Sequence, residues 1–485
     1  MTRPAKIKKM PFWEHLPRLP CAHCYNSIAS ATTRRTNSFR ATAAIGSSKS
    51  ASALTRCINF STHITIFVIM AKMIEDMEIS LYTLTSSLHD RSAVDSVTSE
   101  FLSSIEAVLG YGFDFCGDDF SSYGKSDLDV IFIRTGGSEG LFRKVFPTLS
   151  GNILLLTSGK SNSLAASLEI LSFLNQNGRK GEVLHGSAQY IAGRIDTLAK
   201  VTRTKRSLDG QKLGIIGKPS DWLIASQPDK TAVAEKLGIE LLDIDIKELI
   251  ELSGKTCGTP LPEPASAIIE GLRKDAPDSI RKYVEGAIGI YSALREIVSR
   301  YGLSGLTIRC FDLLDTLGNT GCLALALLNA EGIPSACEGD VPALLSMVIG
   351  NALTGRSGFQ ANPSQIDPIS GTMLLAHCTV PFNMVERYSY DTHFESGIGV
   401  AIHGELAKSD FTLFKTSANL SRMFCEEAEL LENQYGRNLC RTQVLLQMKN
   451  PEVLSEYFLR KPIGNHHIVF SGSHKALFEA FMREI

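Results

Sequence analysis

A chain of 485 residues is too long for one ordinary hydrophobic core, and at roughly 100–200 residues per domain it predicts two to four. Hydrophobic residues make up 44% of it and charged residues 21%, with a net charge of −2, which excludes a wholly disordered or polybasic chain. No stretch approaches the ~20 apolar residues of a membrane span. The longest candidate runs from Ile64 to Met70, so an integral membrane protein is not expected.

The charge is uneven. Residues 1–57 carry ten Lys/Arg and one acid, Glu14, and residues 73–485 carry 38 bases against 50 acids. The leader, 1–72, is rich in Ser, Thr, Ala and Arg and has neither helical nor strand period. It reads as a transit-type segment, a disordered tail, or sequence upstream of an internal start at Met70, Met73 or Met77. Its CxxC, Cys21 and Cys24, has no second pair at zinc-site spacing. The leader therefore stays outside the fold argument, and its removal is expected to leave the fold intact. The eleven cysteines are scattered and odd in number. Several sit in apolar runs, such as Cys310 and Cys322, which predicts buried free thiols in a reducing, cytoplasmic setting.

From 77 to 260, apolar runs alternate with amphipathic stretches. Strands are expected over 77–85, 128–137, 152–159 and 239–245, with 212–222 repeating the strand-and-turn pattern, and helices over 98–109, 163–178 and 231–238. Continuous apolar strands separated by helices imply parallel sheets covered on both faces. The loops after them, 134–139, 157–163 and 217–222, lie where such sheets bind ligands. None matches a dinucleotide fingerprint or a Walker A loop, so no nucleotide is expected; the plain alternative is a turn before a helix, with Ser161 or Ser163 as cap. Residues 263–305 predict helices, 306–314 a strand and 321–332 a helix. Glu338 then falls at a strand end just before another helix. Beyond 371 short strands and turns predict an antiparallel sheet or barrel, closed by a strand and a helix. The division expected is a leader (1–72), two α/β domains (73–210 and 211–370, the second carrying the CEGD loop) and a β-rich domain (371–485).

Six of the eleven histidines fall late: His377, His393, His403, His466, His467 and His474. With Glu338 and Asp340 nearby in the CEGD loop, they offer the mixed carboxylate and imidazole set that suits Mn²⁺, Zn²⁺, Fe²⁺ or Co²⁺. The alternatives are a dipole-stabilised carboxylate at a helix start for Glu338 and a satisfied core histidine for His377. His466 and His467, being adjacent, point to opposite faces if extended, so at most one is a ligand. An acidic body without a basic stripe disfavours nucleic acid.

Several segments together, NSLAASLEIL (162–171), GKPSDW (217–222), CFDLLDTLGNTGCLALALLNAEGIPSACEGDV (310–341), AHCTVPF (376–382), THFESG (392–397) and GNHHI (464–468), resemble the L-fucose isomerase-like proteins, and more distantly the L-arabinose isomerases, over residues 77–485. The resemblance implies Rossmann-like N-terminal domains, a C-terminal β-barrel, a homo-oligomer, and aldose–ketose interconversion of a small sugar through a cis-enediol with a divalent metal, often Mn²⁺. It implies Glu338 as ligand and base, with His377 and His467 (or, less favoured, His466) as further ligands. The second family carboxylate falls on Asn362, which cannot act as a base; Asp340 or Asp367 would have to substitute. His393, Glu395, Asn465 and His466 are expected around the substrate. The change at Asn362 also keeps open a non-catalytic carbohydrate-binding or regulatory protein on the same scaffold.

Overall fold

The computed structural model describes residues 8–9, 78–255 and 261–485; the CxxC, the candidate internal starts and the rest of the leader lie outside them. Strand β1 (Lys8–Lys9) pairs antiparallel with Arg387 and Tyr388.

The first sheet holds β2 (Ile79–Leu84), β3 (Asp114–Gly117), β4 (Leu128–Ile133), β5 (Ile153–Leu156) and β6 (Gly181–Leu184), all parallel, in the order β3-β2-β4-β5-β6. Every residue of β2 is buried, because helices cover both faces. The alternation is visible in β4, where Val130 and Phe132 join one apolar cluster while Ile131 and Ile133 join the other. The helices of this unit are α1 (Arg91–Leu109), α2 (Glu139–Val145), α3 (Ser163–Gln176) and α4 (Ala188–Leu208). Asn162, in a left-handed conformation, stands at the N-cap of α3 without a side-chain capping bond, so neither Ser161 nor Ser163 serves as its capping residue.

The second sheet is also parallel: β7 (Lys212–Ile216), β8 (Glu240–Ile244), β9 (Gly305–Ile308) and β10 (Ser335–Ala336), ordered β10-β9-β7-β8. Around it lie α5 (Lys230–Leu237), α6 (Ile246–Ser253), α7 (Ala265–Asp275), α8 (Asp278–Arg281), α9 (Val284–Tyr301), α10 (Asp312–Leu317), α11 (Cys322–Ala330) and α12 (Val341–Thr354). The expected strand over 306–314 stops at Ile308; Asp312 already begins α10. Successive connections leave β7 and β9 in opposite directions, which opens a crevice at their carboxyl ends.

The C-terminal part is a closed six-stranded antiparallel barrel. Its strands are β11 (Phe359–Asp367), β12 (Thr372–His377), β15 (Asp410–Thr416), β16 (Met423–Gln434), β17 (Thr442–Met448) and β18 (His467–Ser471), with β13 (Val385–Asp391) and β14 (Ala401–Leu406) as a separate hairpin. Closure removes exposed strand edges. The first barrel strand begins at Phe359, earlier than the β-rich pattern legible from 371, because helix α12 leads straight into it. One barrel face packs Phe414, Ile468 and Phe470 against Leu344, Leu345 and Val348 of α12. Helix α13 (Lys475–Glu484) ends the chain. Among the described residues, no helix is long and apolar enough to cross a membrane.

Candidate metal centre

Three loops of the second sheet meet at its crevice: 217–222 after β7, 309–311 after β9 and 337–340 after β10. Arg309 Nη1 donates to Pro219 O at 2.7 Å, Ser220 N to Glu338 O at 2.9 Å and Gly339 N to Ile308 O at 2.8 Å. Glu338 and Gly339 both have positive φ (65° and 71°), and Asp340 N closes the turn on Cys337 O at 3.2 Å. This tight turn swings the Glu338 side chain off the strand end and into the crevice. A Cβ at position 339 would lie 2.5 Å from Lys218 O and 2.8 Å from Pro219 Cα, both backbone atoms. Gly339→Ala is therefore expected to destabilise the protein by about 1–3 kcal/mol through its φ alone, more once the clash is added, and to displace Glu338. A thermal melt checks this; an unchanged midpoint would contradict it.

The barrel completes the site. His377 ends β12 and His466 immediately precedes β18. Glu338 Oε1 lies 3.3 Å from His466 Nε2 and 3.9 Å from His377 Nε2. One ligand atom from each of the three residues lies within 4.8 Å of the others. Each group is held from behind. Trp222 Nε1 donates to Glu338 Oε2 at 2.7 Å, His377 Nδ1 contacts Thr379 Oγ1 at 2.9 Å, and His466 Nδ1 contacts Asp340 Oδ2 at 2.8 Å.

The electrostatics follow from this burial. Burial alone would raise the Glu338 carboxyl, but the neighbouring His377 and His466 imidazoles outweigh it and hold the group well below the usual carboxylate range. Burial opposes a charge on His466, yet the carboxylates of Asp340 and Glu338 push it up to about 9. His377 is moved down, chiefly by burial. Asp340 is fully buried and brought down to about 2, because the charge of Lys415 and the contact with His466 overcome desolvation. Lys415 Nζ, equally buried, lies 3.5 Å from Asp340 Oδ2.

The residues expected from sequence divide clearly. Glu338, His377 and His466 come together. His467 does not join them: it begins β18 in the phase opposite to His466 and is buried against Phe424 and Phe458, with Nε2 2.9 Å from Tyr457 OH and Nδ1 3.0 Å from Asn465 O. Asp340 stands behind His466, caps α12 through Ala343 N, and is absent from the pocket wall. Asp367 holds a surface turn through Ile369 N and Ser370. Asn362, in β11 opposite Ala376, does line the pocket and accepts from Asn465 Nδ2 at 3.1 Å. His393 and Glu395 line it too. His393 is brought down to about 4 by burial and then by the charge of His377, whereas burial and the Glu338 charge raise Glu395. Phe311 and Leu314 form the apolar side of the pocket. Trp222 and Lys415 were not singled out from sequence. Trp222 stands in the GKPSDW motif, and Lys415 continues the inward series Phe411, Leu413 of β15, where a lysine demands a buried partner.

The donor set fits a divalent transition ion. Ligands roughly 2.1 Å from an ion lie about 3 Å apart when adjacent, close to the 3.3 Å observed and a small movement from 3.9 Å. His466 Nε2 is buried without a hydrogen-bond partner, and its other nitrogen rests on a carboxylate, as in carboxylate–histidine–metal arrangements.

No protein-family model matches the chain. The chain is 25% identical over 284 residues to a sulfoquinovose isomerase of Alkalicoccus urumqiensis, covering 56% of this chain and 61% of that one. It is 27% identical over 193 residues to one of Clostridium sp. (strain MSTE9), covering 39% and 42%. It is 22% identical over 231 residues to one of Priestia aryabhattai, covering 45% and 50%. The chain thus spans about half the length of these curated relatives. The similarity lies with sugar isomerases and does not single out the L-fucose enzymes.

Proposed function

We propose that this chain is a divalent-metal-dependent sugar isomerase that interconverts an aldose and a ketose through a cis-enediol. The observation that carries the reading is the convergence of Glu338, His377 and His466 on one point, at a pocket that also presents Asn362, His393 and Glu395. The sulfoquinovose isomerases that the chain resembles support the same class of reaction.

Glu338, His377 and His466 would hold the ion, Mn²⁺ or a similar divalent metal, which would supply Lewis acidity toward the sugar carbonyl. Glu338 moves the proton between C2 and C1 through its carboxylate. Trp222 fixes the carboxylate plane by its bond to Oε2. Asn362 cannot take up a proton at neutral pH and serves as a hydrogen-bonding group for a sugar hydroxyl, steadied by Asn465. The proton exchange between O1 and O2 falls to the pocket groups that do titrate, His393 and Glu395. With Nδ1 of His393 engaged by Ser396 Oγ at 3.0 Å, Nε2 is the nitrogen available to a hydroxyl.

Proton transfer through a carboxylate exchanges with solvent. Turnover of an aldose in D₂O, with sulfoquinovose, L-fucose and L-arabinose as the first panel, is therefore expected to place deuterium on the carbon that receives the proton. Turnover without deuterium would replace the enediol route by a hydride shift, and no turnover on a broad panel would favour a sugar-binding protein.

A further inference from the structure

Five of the seven described free cysteines, Cys310, Cys322, Cys337, Cys378 and Cys440, line the pocket that holds Glu338 and His377. Two of them meet. Strands β9 and β10 are parallel neighbours, with Leu306 opposite Ser335 and Thr307 opposite Ala336, so their exits run side by side. Cys310 N turns back onto Ile308 O at 3.0 Å, and its Sγ comes to 3.1 Å from Cys337 Sγ. A disulfide needs roughly 2.05 Å between sulfurs, a closure of about 1 Å. Both side chains are buried, but both border the pocket, which admits a small oxidant.

We propose that Cys310 and Cys337 form a reversible disulfide under hydrogen peroxide, and that this cross-link switches off the site by moving Glu338. Cys337 precedes Glu338 directly, and the turn that follows has no slack: Gly339 lies against the backbone of Lys218 and Pro219. Drawing Cys337 toward Cys310 must therefore be absorbed at Glu338, whose contact with Trp222 is the first to change.

The chemistry balances. Both sulfurs border the pocket and lie 3.1 Å apart, so either can meet peroxide first, and attack by Cys310 stands for both. Cys310 sulfur attacks one peroxide oxygen and the O–O bond breaks. The departing hydroxide takes the Cys310 proton as water and leaves a sulfenic acid. Cys337 sulfur then attacks Cys310 sulfur, the S–O bond breaks, and a second water leaves with the Cys337 proton. Two thiols are oxidised to one disulfide, and peroxide is reduced to two waters.

The switch rests on reading Glu338 as the working carboxylate, but its test does not need turnover. The full chain, carrying Trp13→Phe so that Trp222 is the remaining tryptophan, is treated with hydrogen peroxide, digested without reductant and mapped by mass. The result expected is a Cys310–Cys337 cross-link reversed by dithiothreitol, together with a reversible change in Trp222 emission. Both are lost in Cys310→Ser and in Cys337→Ser, a second variant at the other end of the bond. Free thiols after peroxide, a cross-link at Cys378–Cys440 instead, or a cross-link without a change in Trp222 emission would overturn the proposal.

Discussion

Glu338→Gln is expected to lower turnover by roughly 10²–10⁴-fold, the contribution typical of a positioned acid–base group, with further loss from the weakened metal site. The substitution is nearly isosteric, so the effect is chemical. An amide can neither take the substrate proton nor offer an anionic ligand. The fold should persist, because Asp340 still holds His466 and the 337–340 turn is set by its backbone bonds to Ile308 and Ser220. The melting temperature is thus expected to stay within a few degrees of the parent while kcat collapses. Unchanged turnover would remove Glu338 from the chemistry altogether.

Asp340→Ala is expected to act through stability. Asp340 is fully buried and serves three partners: Lys415 Nζ, His466 Nδ1 and Ala343 N at the start of α12. Its removal leaves the buried Lys415 without a counter-charge, a change that costs about 3–5 kcal/mol in comparable pairs, with about 1 kcal/mol more for the lost cap. It also frees the His466 ring, and loss of such a partner typically weakens a metal site by roughly 10–100-fold. The double variant Asp340→Ala, Lys415→Met separates the two effects. With both charges gone, most of the stability is expected to return, while Mn²⁺ affinity stays low. Thermal melts and Mn²⁺ titration of the three proteins decide it. If the double variant regained full affinity, Asp340 would have no part in holding His466.

The fold and the candidate centre were legible to different depths. The parallel sheets could be read because their strands are apolar on both faces, as in Ile79–Leu84 and Leu128–Ile133. Glu338 could be placed at a strand end for the same reason, and the barrel because its short strands alternate. The choice between His466 and His467 could not be read. Both are fully buried, so burial gives no phase; only the register of β18, with His467 opposite Ala361, decides which ring faces Glu338. Asp340 looked catalytic because its cation, Lys415, lies 75 residues away. Trp222 went unassigned because its partner is 116 residues distant. The thiols at 310, 322, 337, 378 and 440 looked scattered, and only the packing of the barrel on the second sheet gathers them around one pocket.

The measurement that tests the account most directly is the Mn²⁺ stoichiometry of the full chain, made beside His466→Ala and His467→Gln. About one ion per chain is expected, retained in His467→Gln and lost in His466→Ala. Failure of the parent protein to bind an ion, or loss of the ion in His467→Gln with retention in His466→Ala, would contradict it.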